Sequence, residues 1–310
     1  MSKIILIYGP TASGKSNFAL KIAKKINGEI INADSMQVYK KLKILTARPG
    51  KEDLKKVKHN LYGFIDIKKS FSTGDWLKFV IKKIKEVNGK KKIPIIVGGT
   101  GLYFYSLTEG FAKLPTIPIK FRNKIRNLNK KIGQKNFYKR LVKIDPISKN
   151  KINSNDVQRS IRAYEVKKYS NKSIYEWQKK TKTIFNKNRF IKLYLNYSRE
   201  ELLKRINVRT KKMIKSGAVS EVKKLLKERN VKKEHYYKII GFQEIEMFLE
   251  GKIDKNNLCN QINIRTRQYA KRQTTWFRGK MESWTPIDPN KLTPFIKKLN
   301  KSSLKLDQLI

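Results

Sequence analysis

The sequence predicts an α/β fold: a P-loop-containing parallel sheet flanked by helices, with a mainly helical insertion domain. Three observations carry this. Gly9-Pro10-Thr11-Ala12-Ser13-Gly14-Lys15-Ser16 follows a short apolar run at 4–8 and precedes helical spacing over 16–26. That is the strand–turn–helix context in which G-x-x-x-x-G-K-[ST] means a phosphate-binding loop. Further strand-like runs begin at Gly28, Ile93 and Phe190. The middle one is nearly all apolar, as suits a parallel sheet covered on both faces. From about 115 to 189 the chain is strongly helical, rich in Lys, Arg and Asn, and free of such runs. The chain therefore divides into a catalytic core, 1–114 with 190–310, and a helical insertion, 115–189.

Composition sets the bounds. A chain of 310 residues with 39% hydrophobic residues is large enough for a full α/β domain and a smaller appended one. Lys and Arg number 73 against 24 Asp and Glu, a formal net charge of +49. The abundance of Lys, Asn and Ile points to AT-rich coding as one source of that excess. The remainder points to an acidic partner, DNA or RNA rather than a membrane. The single cysteine, Cys259, excludes an internal disulfide and a Cys-cluster metal site, and the two histidines, His59 and His235, lie far apart in the chain. The first apolar run is too short for a signal peptide and no run approaches the roughly 20 residues of a membrane span. A cytoplasmic protein is expected.

The elements follow in order. Around Gly9 to Lys15 consecutive backbone N–H groups can curl into an anion nest, backed by the open N-terminus of the next helix. Lys15 adds a point charge, and Ser16 a hydroxyl able to hold Mg²⁺. The segment 28–35 reads as a second strand running into a loop at Asp34. Ligands gather at the carboxyl ends of such strands, so Asp34 is placed to face the phosphate loop; taken alone it reads equally as an Asx-turn or N-cap residue. The run 61–67 looks like another short strand. Ser72 to Asp75 open a helix whose Trp76, Phe79, Val80, Ile84 and Val87 have the spacing of a core face. The strand at 93–97 ends in Gly98-Gly99-Thr100-Gly101, a second flexible turn with a hydroxyl, and no acidic metal-site residue stands there. Two Gly-rich turns at strand ends point to one anionic ligand. In the insertion, 156–166 is a helix with Arg159 and Arg162 at i, i+3. A strand at 190–196 precedes a capping box at Ser198 and a long helix broken at Ser216-Gly217. Finally, 262–278 interleaves Arg265, Arg267, Lys271, Arg272 and Arg278 with Tyr269, Trp276 and Phe277, a mixture that suits single-stranded or loop RNA.

Six motifs in one order carry a resemblance: GPTASGKS at 9–16, NADSMQVY at 32–39, VGGTGLY at 97–103, Q-R-x-x-R-A-x-E-V at 158–166, IGFQE at 240–244 and R-Q-Y-A-K-R-Q-x-x-W-F-R at 267–278. Over about 3–280 the chain resembles the tRNA dimethylallyltransferase (isopentenyltransferase) family. The resemblance implies transfer of a dimethylallyl group from dimethylallyl diphosphate to the exocyclic amine of the adenine just 3′ of the tRNA anticodon. It assigns the donor diphosphate to Gly9, Pro10, Thr11, Ala12, Ser13, Gly14, Lys15 and Ser16, with Mg²⁺ at Ser16. It makes Asp34, Thr100 and Lys15 catalytic: Asp34 takes the amine proton while the others grip the departing diphosphate. It assigns tRNA contacts to Asp34, Ser35, Met36, Gln37, Thr100, Arg122, Gln158, Arg159, Ser160, Ile161 and Arg162, and implies a monomer with no membrane partner.

The chain departs from the family pattern at Val157, where Pro is common, at Ser160, where Leu is usual, and at Phe242-Gln243 in place of Tyr-Arg or Tyr-Lys. These bear on tRNA affinity rather than on the chemistry. Three rivals share the loop. A small-molecule kinase predicts acidic metal ligands near the sheet edge, and an enzyme acting on free adenine nucleotides has no use for a basic insertion. A non-catalytic RNA-binding protein has no use for intact Lys15, Ser16, Asp34 and Thr100.

Overall fold

Short apolar segments with residues facing both ways form the frame. In the computed structural model, which describes residues 3–179, 181–228, 232–289 and 292–298, the chain makes two units. The first holds the described residues up to Thr108 and from Phe185 onward; the second spans Glu109–Ile184. In the first unit β1 (Ile4–Tyr8) leads to α1 (Lys15–Lys25) and β2 (Gly28–Asn32). After them come α2 (Lys51–Lys56), β3 (His59–Asn60), α3 (Thr73–Gly89), β4 (Ile93–Gly98) and α4 (Gly101–Thr108). The second unit holds α5 (Ile119–Ile144), α6 (Val157–Ser170) and α7 (Ile174–Lys179). The chain returns through β5 (Phe190–Leu195), α8 (Arg199–Lys215), α9 (Ala218–Leu226) and α10 (Phe242–Leu249). It closes with α11 (Lys255–Lys280), β6 (Thr285–Ile287) and α12 (Leu292–Lys298). The segment 299–310, counted with the core on sequence grounds, lies outside the described residues.

All strand pairs are parallel, in the order β3-β2-β4-β1-β5-β6. Alternation along β1 explains its unbroken apolar run. Ile4, Leu6 and Tyr8 pack on one face with Trp76 and Val80 of α3 and Phe104 of α4, while Ile5 and Ile7 pack on the other with Phe18 and Ile22 of α1. The chain runs from β1 to β2, on the β4 side, and later from β4 to β5, on the other side of β1, so the carboxyl ends near β1 form the crevice where α/β sheets bind ligands. Gly98 makes that crevice narrow: a Cβ there would lie 2.1 Å from the Ala33 carbonyl oxygen, a distance only glycine tolerates. A capping box between Ser72 and Asp75 starts α3.

Two expected features take another form. The run 61–67 is not a strand, because Leu61 (φ 62°) and Gly63 (φ 56°) turn the backbone out of extended geometry. Pairing with β2 occurs just before it, at β3, and Ile65 makes only an isolated bridge to Tyr39. Phe79 does not join the core either. It is 42% exposed and packs edge-on against Phe64 at a 5.3 Å centroid distance.

In the second unit, α5 and α6 close on a core of Ile125, Phe137, Leu141, Ala163 and Tyr164. Asp156 caps α6, accepting from the Arg159 N–H at 3.0 Å. Buried Asp145 accepts from the hydroxyls of Ser148 and Ser173, each at 2.9 Å, tying the segment after α5 to the start of α7.

Candidate active site

The first loop has the local geometry of an anion nest. Gly14, at φ 77°, sits at the N-cap of α1, and Ala12 also takes positive φ at 65°. Left-handed residues in such a loop can turn neighbouring backbone N–H groups toward one side. Thr11, Ala12, Gly14, Lys15 and Ser16 line a cavity of about 650 Å³, as do Asp34, Ser35, Met36 and Gln37. Gly9, Pro10 and Ser13 lie behind it as supports. The Ser13 N–H donates to the Pro10 carbonyl at 3.2 Å, and the Ser13 hydroxyl is buried with no hydrogen-bond partner among the described residues.

Lys15 reaches back to the Pro10 carbonyl at 3.1 Å. Burial lowers its ammonium to about 8; Asp34 opposes this shift and Arg209 adds to it. An ammonium held near neutrality's upper edge gains most when an anion enters beside it.

Asp34 satisfies both sequence readings at once. Its Oδ1 accepts from the Met36 N–H at 2.9 Å, an Asx turn, and its carboxylate nevertheless faces the loop cations Lys15 and Arg209. Asn32 fixes the turn from below by accepting the Asp34 N–H at 2.9 Å. Thr100 stands next to it. Its hydroxyl oxygen accepts from the Ser35 N–H at 3.0 Å, and Tyr269 hydrogen-bonds it from the other side. Burial raises the Tyr269 phenol, and Asp34 raises it further, so it stays a neutral hydrogen-bonding group. The Gln37 amide does not reach outward as expected of a tRNA contact: it donates to the carbonyls of Thr46, at 2.9 Å, and Ala47, at 3.1 Å, bracing the 36–50 loop.

The late helices also line the site: Tyr269 and Gln273 fall within the 267–278 motif, whereas Arg205 and Arg209 lie in none of the six. Arg209 of α8 donates a hydrogen bond to the Thr11 hydroxyl, and burial lowers its guanidinium against the pull of Asp34 and Tyr269. Arg205, one turn earlier, donates to the Ala12 carbonyl at 2.8 Å. Gln273 of α11 joins the two Gly-rich turns: its Oε1 accepts the Thr11 N–H at 2.8 Å and its Nε2 donates to the Gly99 carbonyl at 2.7 Å. For Arg205 and Arg209 the available signal was helical spacing. Arg205 and Arg209 are i, i+4 on α8, as are Tyr269 and Gln273 on α11.

The aromatic residues of α11 correct the expectation of an RNA-stacking surface. Phe277 stacks on Tyr194 at 3.5 Å between centroids, Trp276 packs against the core beneath α4, and Tyr269 lines the cavity. Helical periodicity turns them toward the sheet and leaves Arg267, Lys271, Arg272 and Arg278 exposed.

In the second unit Gln158 and Arg159 are exposed, and Arg122 and Arg162 half-exposed. Ser160 and Ile161 are corrected as side-chain contacts. Ser160 is fully buried and accepts from the Gln134 amide at 3.1 Å, while Ile161 packs against the α5–α6 core. Positions 160, 161, 163 and 164 share the inner face of α6. Arg159 and Arg162 also part company: Arg159 pairs with its own cap Asp156 at 3.5 Å, and Arg162 with Glu165 at 3.3 Å.

Comparison with known proteins places the chain in a family. Residues 37–280 match the family described as IPP transferase. A protein of Pelagibacter ubique named tRNA dimethylallyltransferase is 60% identical over 308 residues, covering 99% of this chain and 98% of its own. One of the same name from Rickettsia massiliae is 41% identical over 96% of this chain and 82% of its own. Among solved structures, a eukaryotic dimethylallyltransferase acting on tRNA has a TM-score of 0.81 at 28% identity, covering 95% of this chain and 76% of that one. A full-length tRNA isopentenylpyrophosphate transferase from Bacillus halodurans has a TM-score of 0.66 at 31% identity, over 96% and 95%. The parallel sheet with its flanking helices is theirs, and the chain belongs to the IPP transferase family of tRNA dimethylallyltransferases.

Proposed function

We propose that the chain transfers a dimethylallyl group from dimethylallyl diphosphate to the exocyclic N6 amine of the adenine 3′ of the tRNA anticodon. The supporting observation is that the first Gly-rich loop, Lys15, Arg209 and the carboxylate of Asp34 all line one cavity. Lys15 and Arg209 beside the nest suit a diphosphate; Met36, Leu45, Ile240 and Ile262 on the same walls suit a short apolar tail. In the reaction the allylic C–O bond breaks with its electron pair leaving on the diphosphate. The amine nitrogen forms the new C–N bond, and its proton passes to Asp34. The loop N–H groups, Lys15 and Arg209 hold the charge that accumulates on the departing oxygens.

Magnesium fits the oxygen donors that line this cavity. Ser16 offers a hydroxyl to the cavity that the carboxylates of Asp34 and Asp53 also line, and Mg²⁺ characteristically joins one or two such groups with substrate phosphates. Bound there, it would supply charge neutralisation on the diphosphate. The adenine must leave its stack to reach Asp34, as in other base-modifying enzymes. Arg122, Gln158, Arg159 and Arg162 are the residues proposed to hold the anticodon loop. No helix among the described residues is long and apolar enough to cross a membrane; a cytoplasmic monomer is the working picture.

Thr100 acts here by fixing the 34–35 turn and Tyr269, so Thr100→Ala is expected to lower kcat about a hundredfold, with Thr100→Ser retaining most activity. Steady-state rates of the two variants check this, and equal loss in both contradicts a hydroxyl role. The function as a whole is tested by incubating the protein with dimethylallyl diphosphate and unmodified tRNA, then weighing the nucleosides. An adenosine heavier by one dimethylallyl group is expected. Unchanged nucleosides alongside ATP-dependent phosphate transfer would instead support the kinase reading.

A further inference from the structure

We propose that Glu165 is a positioning residue that holds Arg122 and Arg162 as a paired guanidinium clamp for one RNA phosphate. This rests on the reading above that these two arginines meet tRNA. Glu165 lies on α6 with only 1% of its surface exposed. Its Oε2 is 3.4 Å from Arg122 Nε, arriving from the first turn of α5, and 3.3 Å from Arg162 Nη1, one turn back on α6. Its Oε1 is buried with no hydrogen-bond partner among the described residues. A carboxylate this deep is costly unless cations answer it, and here two cations answer a single oxygen.

The consequence is geometric. Two guanidinium groups that would repel each other are held side by side, and both side chains remain 37% exposed. Each guanidinium has five N–H donors, so contact with one carboxylate oxygen leaves others to face outward in the fork that matches a phosphate. The trio carries a net charge of +1 and needs an anion to complete it. Arg159 offers the contrast: it is 67% exposed, and among the described residues its ion pair is to the cap three residues before it.

The experiment measures tRNA affinity, kcat and both KM values with the full-length protein. Glu165→Gln keeps shape while removing the charge that gathers the arginines. It is expected to weaken tRNA binding about tenfold and raise the KM for tRNA, with kcat at saturating tRNA and the KM for dimethylallyl diphosphate unchanged. A residue that only filled space would give the opposite sign, because losing a negative charge on an RNA-binding face tightens binding. Unchanged or tighter binding in Glu165→Gln therefore overturns the proposal. Arg162→Ala is expected to weaken binding in the parent and to add little in the Glu165→Gln background; full additivity overturns the clamp. Should Glu165→Gln fail to fold, Arg162→Lys replaces it, keeping the charge and losing the fork, and unchanged affinity there overturns the proposal equally. If Arg122→Ala and Arg162→Ala both leave tRNA binding intact, the underlying tRNA reading fails. If they weaken it and Glu165→Gln does not, only the positioning role fails.

Discussion

Asp34→Ala is expected to lower the transfer rate at saturating substrates about a thousandfold, the scale of losing a positioned proton acceptor. Alanine also removes the Asx turn that Asp34 Oδ1 makes with the Met36 N–H, and some of its effect would come from a loosened loop. Asp34→Asn separates the two. Asparagine keeps an oxygen for the turn but cannot take the amine proton. If Asp34 is the base, Asp34→Asn also loses most of the activity with circular dichroism close to the parent, and Asp34→Ala loses at least as much. If Asp34→Asn turns over near the parental rate, the carboxylate is only a turn former and another group must receive the proton.

Lys15→Met is the second large expected effect, a loss of about a hundredfold to a thousandfold in kcat/KM for the diphosphate donor. Its pH dependence has a signature that other loop residues lack. In the free protein the Lys15 ammonium is lowered to about 8 by burial, with Asp34 opposing and Arg209 assisting. Binding a diphosphate favours the charged amine, so donor affinity should fall as pH rises through about 8. Folding runs the other way. The unfolded chain keeps this proton up to about 10.5 while the folded chain releases it near 8. Within that window the unfolded state binds more protons, and stability rises with pH. Calorimetric titration of the donor and thermal melts across this window check both slopes. Lys15→Met should flatten the two together, and a parent whose donor affinity is flat through pH 8 contradicts the shifted lysine.

Much of the fold was legible because buried parallel strands and Gly-rich turns write themselves locally. β1, its loop and α1 form one continuous signal, and β4 with its Gly98-Gly99-Thr100 turn forms another. Asp34 was found for the same reason, since a strand end fixes where its next residues face. The hidden part of the site comes from long-range convergence. Nothing around Arg205 or Arg209 distinguishes them from other polar residues on basic helices, and the motif that contains Gln273 does not say what it touches; packing of α8 and α11 against the first loop gives all three their partners. The same cause misplaced Trp276 and Phe277, whose mixture with arginines resembles a stacking surface until the helix is docked. On α6 the error was one of phase. A motif read as five consecutive contacts, 158–162, cannot face one way on a helix, and Ser160 and Ile161 turn inward.

Gln273 also carries a consequence for the birth of the protein. The turn at Thr11 and the turn at Gly99 are joined by a side chain 262 residues beyond the first and 174 beyond the second. On the ribosome the phosphate loop is made long before its support in α11. The nascent chain therefore passes through a long period with its strands available and its donor site unfinished. Contacts of such sequence separation are slow to form. They also make the finished site a report on completion: a chain cut short before α11 keeps the motif and lacks the grip.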